Sequence, residues 1–440
     1  MEGEGTKEAV GGKYKETDGH PNTQLSRGAV MSKLAINGGQ KACTGSFPGW
    51  PIWDESDCDA VVEVVRSGQW WSVGGTKVKE FESKFAEYQG AKHGVCVPNG
   101  TISLLVALQA VGVRAGDEVI VTPYTFIASA SSIVQANAIP IFVDIDPETL
   151  NIDPVAIEAA ITDKTKAIMA VHIGGMPADM DAIMDIARRH NLKVIEDAAQ
   201  AHGASWRGQG VGSIGDAGSF SFQASKNLTS GEGGIVITCD QEVADAAWSI
   251  HNVGRVKGGA WYEHPLLGSN YRMTEFQAAI LLNQMKNLDA QTKLRNENGL
   301  YLAGRLSKID GIKPQKRDER VTSHAYHLFI TRYLAEGKTG VSRARFMEAL
   351  VAEGVPIGAG YLPLYRSGMF ELSPDGCPMG CRFYGKTIDY ANLHLPNCES
   401  ICDSEAMWMG QNVMLGTRKQ MDEIADAFEK VMENIDELKA

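Results

Sequence analysis

Residues 166–197, "KAIMAVHIGGMPADMDAIMDIARRHNLKVIED", decide the fold that the sequence predicts. Two short apolar runs, at 166–173 and 192–197, have the length and composition of buried strands. Between them, apolar residues recur at helical spacing from Ala178 to Asn191. A helix that connects two neighbouring strands in this way places them parallel in one sheet. The stretch therefore predicts a parallel α/β sheet.

The same alternation continues on both sides of this unit. A further helix is predicted at 153–161, where Asp153 stands as the N-cap and Pro154 at the first helical position. Repeated strand–helix units of this kind produce a doubly wound, mostly parallel sheet with helices on both faces. The other predicted strands are 117–123, 139–146, 218–223 and 233–239.

The pattern changes at Thr274. A helical pattern at 274–309 opens with a Thr-x-x-Gln capping box and is long enough to connect two bodies. A strand at 326–333 and two helices at 342–354 and 417–438 follow, which is typical of a smaller α+β domain. The sequence thus predicts three parts: a disordered extension at 1–30, a large α/β domain at 31–290 and a small C-terminal α+β domain at 291–440.

Composition excludes several classes of protein. The chain has 440 residues, 44% of them hydrophobic and 22% charged, as a globular protein of two or three domains would have. No apolar run approaches the roughly eighteen residues of a membrane helix, so no membrane partner is expected. A net charge of −12 disfavours binding to nucleic acid.

Targeting and metal signals are weak. The polar, Gly-rich residues 1–30 lack the apolar core of a secretory signal, and Met31 opens the predicted folded part. The eight cysteines are scattered except for Cys377/Cys381 and Cys398/Cys402, whose spacing is not the usual one of zinc ribbons. We therefore expect a cytoplasmic protein without a metal.

Three segments carry chemistry to the carboxyl ends of the predicted strands, where ligands bind in such sheets. The first, residues 95–111, is a strand, a turn and an amphipathic helix. Free N–H groups at the start of that helix would bind a phosphate, lined by Asn99, Gly100 and Thr101. An ordinary strand-to-helix turn would have the same sequence pattern.

The second segment ends at Asp197, which an apolar strand brings to the edge of the sheet. Glu196 must point to the opposite face because strand side chains alternate, so the two acids are not a glycosidase pair. Asp197 could instead be the N-cap of a following helix.

The third segment, "FSFQASKNLTSGEGG" at 220–234, contains Ser221 and a single lysine, Lys226. An amine held among neutral groups loses its proton more easily than a surface lysine, as a Schiff-base lysine requires. A solvated loop lysine is the alternative reading.

Together these groups match the needs of one cofactor. Pyridoxal 5'-phosphate needs a phosphate cup, a lysine for its aldehyde, an acid for its ring nitrogen and a flat residue against its ring. Asn99, Gly100, Thr101 and Ser221 would form the cup, Lys226 and Asp197 would serve as amine and acid, and Phe126 would stack on the ring.

Three motifs also resemble a known family. The stretches "EDAAQAHGA" (196–204), "GSFSFQASKNLTSGEGG" (218–234) and "GSNYRMTEFQAAI" (268–280) are similar to the DegT/DnrJ/StrS aminotransferases, and the similarity runs from about Leu34 to the C-terminus. This resemblance implies a fold-type-I, pyridoxal-phosphate-dependent homodimer whose active sites straddle the subunit interface.

The resemblance also implies roles for individual residues. It assigns Lys226 as the internal-aldimine lysine, Asp197 as the partner of the pyridinium, Gln200 near the ring hydroxyl, Phe126 on the ring, and Gly100, Thr101 and Ser221 on the phosphate. Asn270 would reach the phosphate of the neighbouring subunit, and Arg272 would act near it or form a structural salt bridge; His327 and Tyr361 would lie near the substrate.

The implied reaction is transfer of an amino group from glutamate or glutamine to a keto-sugar, often nucleotide-linked, or to a keto-cyclitol. Lys226 stands where sugar 3-dehydrases of the family have histidine, which favours transamination. Gln223 in "SFQASK" and residues 360–370 are similar to the keto-cyclitol or aminohydroxybenzoate branch, whereas Met176 departs from a frequent glutamine.

Two alternatives belong to other classes of protein. An NAD-dependent enzyme would need a glycine fingerprint, and "GQGVGS" at 208–213 lacks its spacing, so we predict a loop there. A non-catalytic sensor of cofactor or sugar could keep the same fold.

Overall fold

The structure is a computed structural model that describes residues 33–370, 384–385 and 388–439. The predicted extension at 1–30 and the Cys377/Cys381 pair lie outside these residues. The strands are β1 His93–Val97, β2 Glu118–Val121, β3 Ile139–Phe142, β4 Thr165–Val171, β5 Lys193–Asp197, β6 Ser205–Trp206, β7 Gln209–Gly210, β8 Ala217–Ser221, β9 Gly234–Thr238, β10 Ile312–Pro314, β11 Val321–Ser323, β12 Leu328–Tyr333, β13 Gly358–Ala359 and β14 Ala406–Gly410.

Seven of these strands form one large sheet in the order β1-β9-β8-β5-β4-β2-β3. Only β9 runs antiparallel to its neighbours β1 and β8, so the predicted mostly parallel sheet is confirmed. Most predicted strands extend beyond the observed carboxyl ends, because residues such as Ile173 and Phe222 stay buried after their strands have ended.

Helices pack against both faces of the large sheet. The helices are α1 Glu55–Ser67, α2 Lys77–Tyr88, α3 Gly100–Ala110, α4 Ala128–Gln135, α5 Pro154–Ala159, α6 Met180–His190, α7 Gln241–His251, α8 Glu275–Gln284, α9 Leu288–Leu306, α10 Glu336–Thr339, α11 Arg343–Ala352, α12 Pro396–Ser400 and α13 Arg418–Glu433.

Strand β1 shows how the two faces are filled. Val95 and Val97 pack in one hydrophobic core with Leu104 of α3, whereas Cys96 packs in another with Phe81 of α2. This alternation follows from the two-residue period of a strand. The sheet is therefore buried on both faces, as its near-continuous apolar strands require.

The predicted connector helix is two helices. Its capping box at Thr274 and Gln277 is present, but α8 ends at Gln284 and a 3₁₀ turn, Met285–Asn287, separates it from α9. At this turn the Gln284 amide donates to the Asp57 carboxylate and to the Ile52 carbonyl. Those bonds hold the end of α8 against the amino-terminal segment. The predicted boundary near residue 290 stays a prediction.

The C-terminal part contains a four-stranded antiparallel sheet in the order β10-β12-β14-β13. Its core also takes in Leu34 and Cys43 from the start of the described chain. Buried Glu353 fixes this segment, because its carboxylate accepts from the Ala35 and Ala42 N–H groups, each at 2.9 Å, and pairs with Lys430 at 2.8 Å.

A third, three-stranded sheet in the order β11-β6-β7 includes part of the glycine motif at 208–213. The predicted loop there is correct except for Gln209–Gly210, which form β7. Across the described part of the chain, the structure has no helix with the length and hydropathy needed to span a membrane.

Candidate active site

A cavity of about 710 Å³ opens at the carboxyl ends of the parallel strands. The strands β4, β5 and β8 contribute Val171, Asp197 and Ser221 to its wall, as the position of ligands in open α/β sheets predicts. Ten of the predicted site residues line it together: Asn99, Gly100, Thr101, Phe126, Asp197, Gln200, Ser221, Lys226, His327 and Tyr361.

Lys226 lies on a tight turn at this cavity. Its N–H donates to the Gln223 carbonyl at 2.8 Å, and the Gln223 side-chain oxygen accepts from the Ser225 N–H at 2.8 Å, which fixes the turn. Burial lowers the pKa of the Lys226 amine to about 8, although the Asp197 charge opposes this shift. The Lys226 residue is half-buried at the cavity wall, whereas an ordinary loop lysine is fully solvated.

Asp197 is 6% exposed and ends β5 at the cavity wall. Its Oδ2 accepts from the Ser129 hydroxyl at 2.6 Å, and its Oδ1 accepts from the Ala199 N–H at 3.3 Å. No α-helix follows it within 198–240, all of which the structure describes. The alternative that Asp197 is a helix N-cap is therefore wrong.

The first turn of α3 forms an anion cradle. The Asn99 side chain caps this helix by accepting from the Ile102 N–H at 3.0 Å. The N–H groups of Gly100 and Thr101 have no acceptor among the described residues. Ser221 lies directly beside them, since a Cβ at Gly100 would come within 2.6 Å of the Ser221 Cβ. Two free N–H groups and a hydroxyl suit a phosphate.

Replacing Gly100 with alanine tests this cradle. The added Cβ would collide with the Ser221 Cβ, so either Ser221 or the start of α3 must shift. We expect Gly100→Ala to weaken pyridoxal phosphate binding about tenfold or more while the fold is retained. Equilibrium titration measures the change, and Gly304→Ala, where a Cβ meets nothing within 4 Å, is the matched control.

An exposed aromatic ring stands on the wall of the cavity. Phe126 is 56% exposed, and it lines the same cavity as Lys226 and Asp197. A flat apolar face, a phosphate cradle, an amine with a lowered pKa and a buried carboxylate together form the donor set that pyridoxal phosphate needs. The residues present therefore fit this cofactor.

Gln200 and Tyr361 join the two parts of the protein across the cavity. The Gln200 amide donates to the Tyr361 hydroxyl at 2.9 Å, and its oxygen accepts from the Gly174 N–H at 2.7 Å. The Tyr361 ring packs edge-on against Tyr124 and Trp408. Burial raises the pKa of Tyr361 to about 12, so its hydroxyl keeps its proton at neutral pH.

His327, the residue directly before β12, also lines the cavity. Its Nδ1 lies 3.1 Å from the side-chain oxygen of Asn227, the residue that follows Lys226. Burial, together with the charge of Lys226, holds the pKa of His327 well below its usual range. The imidazole is therefore neutral at physiological pH.

Asn270 and Arg272 are the two predicted residues that do not line this cavity. Asn270 is exposed and forms an isolated antiparallel β-bridge with Asn252. Arg272 lines a second, smaller cavity, where it donates to the Asn252 side chain at 2.9 Å and lies over Trp71. Its described partners are an amide and a ring rather than the carboxylate of a salt bridge.

Sequence reasoning missed two buried groups that support the site. His202 donates from Nε2 to the Ser221 carbonyl at 2.9 Å, beneath the phosphate cradle. Burial, with Lys226 nearby, lowers the pKa of His202 to about 3. Ser129 holds Asp197, and its only signal in the sequence was its place three residues after Phe126.

The glycine loop, residues 211–216 between β7 and β8, binds a carboxylate of the protein itself. Glu196, fully buried on the face opposite to Asp197 as predicted, accepts from the N–H groups of Gly212, Ile214 and Gly215 at 2.7–2.8 Å. It also contacts His172 Nε2 at 3.0 Å. These N–H groups are thus already engaged, which argues against a dinucleotide phosphate at this loop.

The cysteine pair Cys398/Cys402 is buried, with its sulfur atoms 3.8 Å apart. In the described ranges no third His, Cys, Asp or Glu joins them to form a metal-binding group. The hydrogen bond with the Cys402 thiol, together with burial, raises the pKa of Cys398 far above its usual range. These thiols therefore have the character of core residues.

The chain is similar to known proteins over most of its length. Residues 51–426 match the model of the DegT/DnrJ/EryC1/StrS aminotransferase family. A Streptoalloteichus tenebrarius protein named "Putative L-glutamine:3-amino-2,3-dideoxy-scyllo-inosose aminotransferase" is 43% identical over 419 residues, which cover 93% of this chain and 100% of that protein. An L-glutamine:2-deoxy-scyllo-inosose aminotransferase from the same organism is 40% identical, with 92% and 99% covered.

Solved structures show the same fold. The crystal structure of a 3-amino-5-hydroxybenzoic acid synthase superposes with a TM-score of 0.77 at 36% identity, covering 87% of this chain and 99% of that one. Such neighbours are fold-type-I aminotransferases that depend on pyridoxal phosphate. The predicted fold class is confirmed.

Proposed function

We propose, because this chain belongs to the DegT/DnrJ/EryC1/StrS aminotransferase family, that it transfers the amino group of L-glutamine to a keto-cyclitol. That it is an aminotransferase follows from the family and from its relatives. The observation that carries the proposal for the site is the Lys226 amine, with its lowered pKa, in one cavity with Asp197 and the anion cradle of α3.

Pyridoxal phosphate, when bound, supplies an aldehyde for amines and a ring that withdraws electrons from the carbon that loses its proton. Lys226 would hold the aldehyde carbon and, once displaced by the amino donor, take the proton from the donor's α-carbon with Nζ. An amine with a pKa of about 8 is suited to this work, because it exchanges protons near neutral pH.

The other residues hold the cofactor in place. The N–H groups of Gly100 and Thr101, with the Ser221 hydroxyl, would bind the phosphate, and Phe126 would cover the ring. The Asp197 carboxylate would accept a hydrogen bond from the protonated ring nitrogen and keep the ring cationic, which stabilises the negative charge that develops on the neighbouring carbon.

The charge of the cavity wall supports an uncharged acceptor. Among the described residues that line the cavity, Lys226 is the only lysine or arginine. The remaining polar groups are mostly amides and hydroxyls, such as those of Gln223, Ser225 and Tyr361. Such groups suit the hydroxyls of a cyclitol, whereas a nucleotide-linked sugar brings a pyrophosphate that normally requires cationic partners.

An acceptor screen tests the proposal. We expect the holoenzyme with L-glutamine to aminate 2-deoxy-scyllo-inosose or a close keto-cyclitol, and not a nucleotide-linked keto-sugar, as mass spectrometry of the products will show. Amination of the nucleotide-linked sugar alone would contradict the acceptor class. Formation of 3-amino-5-hydroxybenzoate would place the chain with the synthases instead, and a lack of any transfer would favour the sensor.

We also propose that the working unit is a homodimer, in which the partner subunit's Asn270 completes the phosphate site. Asn270 is exposed and lies outside the cavity of its own chain. Large apolar side chains are exposed nearby, including Trp261, Tyr262 and Leu267, and a face of this kind marks a protein interface. Light scattering would give the mass of a monomer if this proposal were wrong.

A further inference from the structure

Two buried hydroxyl groups connect the start of α4 to Asp197. Ser129 Oγ lies 2.6 Å from Asp197 Oδ2, and Thr125 Oγ1 lies 2.9 Å from Ser129 Oγ. Ser129 and Thr125 are 1% and 2% exposed, so water does not compete for these bonds. Both residues line the cavity that contains Lys226.

The direction of the two bonds follows from the number of protons. An ionised carboxylate only accepts hydrogen bonds, so the single proton of the Ser129 hydroxyl must point at Asp197. The Ser129 oxygen then accepts from Thr125, whose hydroxyl is the other possible donor. The chain of donors therefore runs from Thr125 through Ser129 to the carboxylate.

Local helix structure does not account for this arrangement. Ile127 is the N-cap of α4 and provides no side-chain cap, and the Ser129 hydroxyl bonds to no group of its own helix. Ser132, one turn later on α4, behaves differently, because its hydroxyl donates to the Ser129 carbonyl at 3.2 Å. The Ser129 hydroxyl is thus aimed out of the helix at β5.

We propose that Ser129 is a positioning residue for the aminotransferase reaction: its hydroxyl, itself oriented by Thr125, fixes the Asp197 carboxylate as an acceptor that faces the cavity. The inference rests on the proposed role of Asp197 toward the cofactor ring. A short bond to a charged acceptor is stronger than a neutral one, and its loss allows the carboxylate to rotate.

Loss of the Ser129 hydroxyl has a consequence for Lys226. The Asp197 charge already raises the pKa of the Lys226 amine against the effect of burial. In the wild type, the partial positive charge of the Ser129 hydroxyl proton offsets part of the Asp197 charge. Without that hydroxyl, the carboxylate acts more strongly on the amine and raises its pKa. The two imidazoles near Lys226 add no charge near pH 8, because burial holds the pKa of His202 at about 3 and that of His327 well below its usual range.

The test compares Ser129→Ala with Ser132→Ala and Ser129→Thr. In the apoprotein, labelling of Lys226 by an amine-reactive reagent is measured against pH by peptide mass spectrometry. For Ser129→Ala we expect the pH midpoint of Lys226 labelling to rise by about half a unit or more from about 8. Ser132→Ala should leave the midpoint unchanged. Ser129→Thr, which keeps a hydroxyl at this position, should give the wild-type midpoint. This measurement needs neither cofactor nor acceptor, so it remains valid if the proposed acceptor is wrong.

A second readout uses the holoenzyme with L-glutamine. We expect Ser129→Ala to bind pyridoxal phosphate about tenfold or more weakly and to lower kcat without a matching rise in KM, as loss of a hydrogen bond to a charged group predicts. Should Ser129→Ala fail to fold, Thr125→Val, which removes the donor to Ser129, is measured in its place. The inference is overturned if the Ser129 or Thr125 variant matches Ser132→Ala in both measurements.

Discussion

We expect Lys226→Ala to abolish both the absorbance of the imine that links pyridoxal phosphate to this lysine and the transfer of nitrogen. Lys226 is the only lysine or arginine among the described residues of the cavity wall, so no other side chain there can replace its amine. The expected loss of turnover is about 10⁴-fold or more, because the variant lacks both the covalent attachment and the group that moves the proton. Stopped-time assays of glutamine consumption measure it.

Borohydride reduction of the wild-type holoenzyme provides the matching positive result. We expect reduction to fix the cofactor on the peptide that contains Lys226 and on no other lysine. Lys84→Ala, which removes an exposed lysine paired with Glu80, should leave labelling and turnover unchanged. Label on a different lysine, or normal turnover of Lys226→Ala, would contradict the proposed role of Lys226 in the reaction.

The local pattern of the sequence was sufficient to predict the large sheet and the residues that lie together at its carboxyl edge. Each strand is an apolar run with a clear start, and a parallel sheet brings residues as distant as Gly100, Asp197 and Lys226 to one edge. The capping box at Thr274 was also visible, because its two partners, Thr274 and Gln277, lie within four residues of each other.

What the sequence could not provide depends on contacts between distant segments. The break between α8 and α9 reflects bonds from Gln284 to Asp57, 227 positions away, and no local signal marks them. The hydroxyl of Ser129 reaches Asp197 across 68 positions. Strand alternation predicted the face of Glu196, but not that its carboxylate would bind the glycine loop.

Asp197→Asn is expected to keep the cofactor and lose most of the rate. The amide has the same shape and can still accept from the Ser129 hydroxyl, so the wall of the cavity stays in place. It carries no negative charge, however, and cannot hold the ring nitrogen cationic while charge develops on the carbon beside it. We expect a decrease in kcat of about a hundredfold or more.

The same substitution has a second effect of opposite sign to that of Ser129→Ala. Because the Asp197 charge raises the pKa of Lys226, its removal should move the Lys226 labelling midpoint of the apoprotein below about 8. Asp153→Asn, an equal change at the N-cap of α5, is the control, since asparagine caps a helix as well as aspartate does. If Asp197→Asn retained full kcat, or raised that midpoint, the carboxylate would have no electrostatic part in the reaction, and the roles assigned to Asp197 and Ser129 would both be wrong.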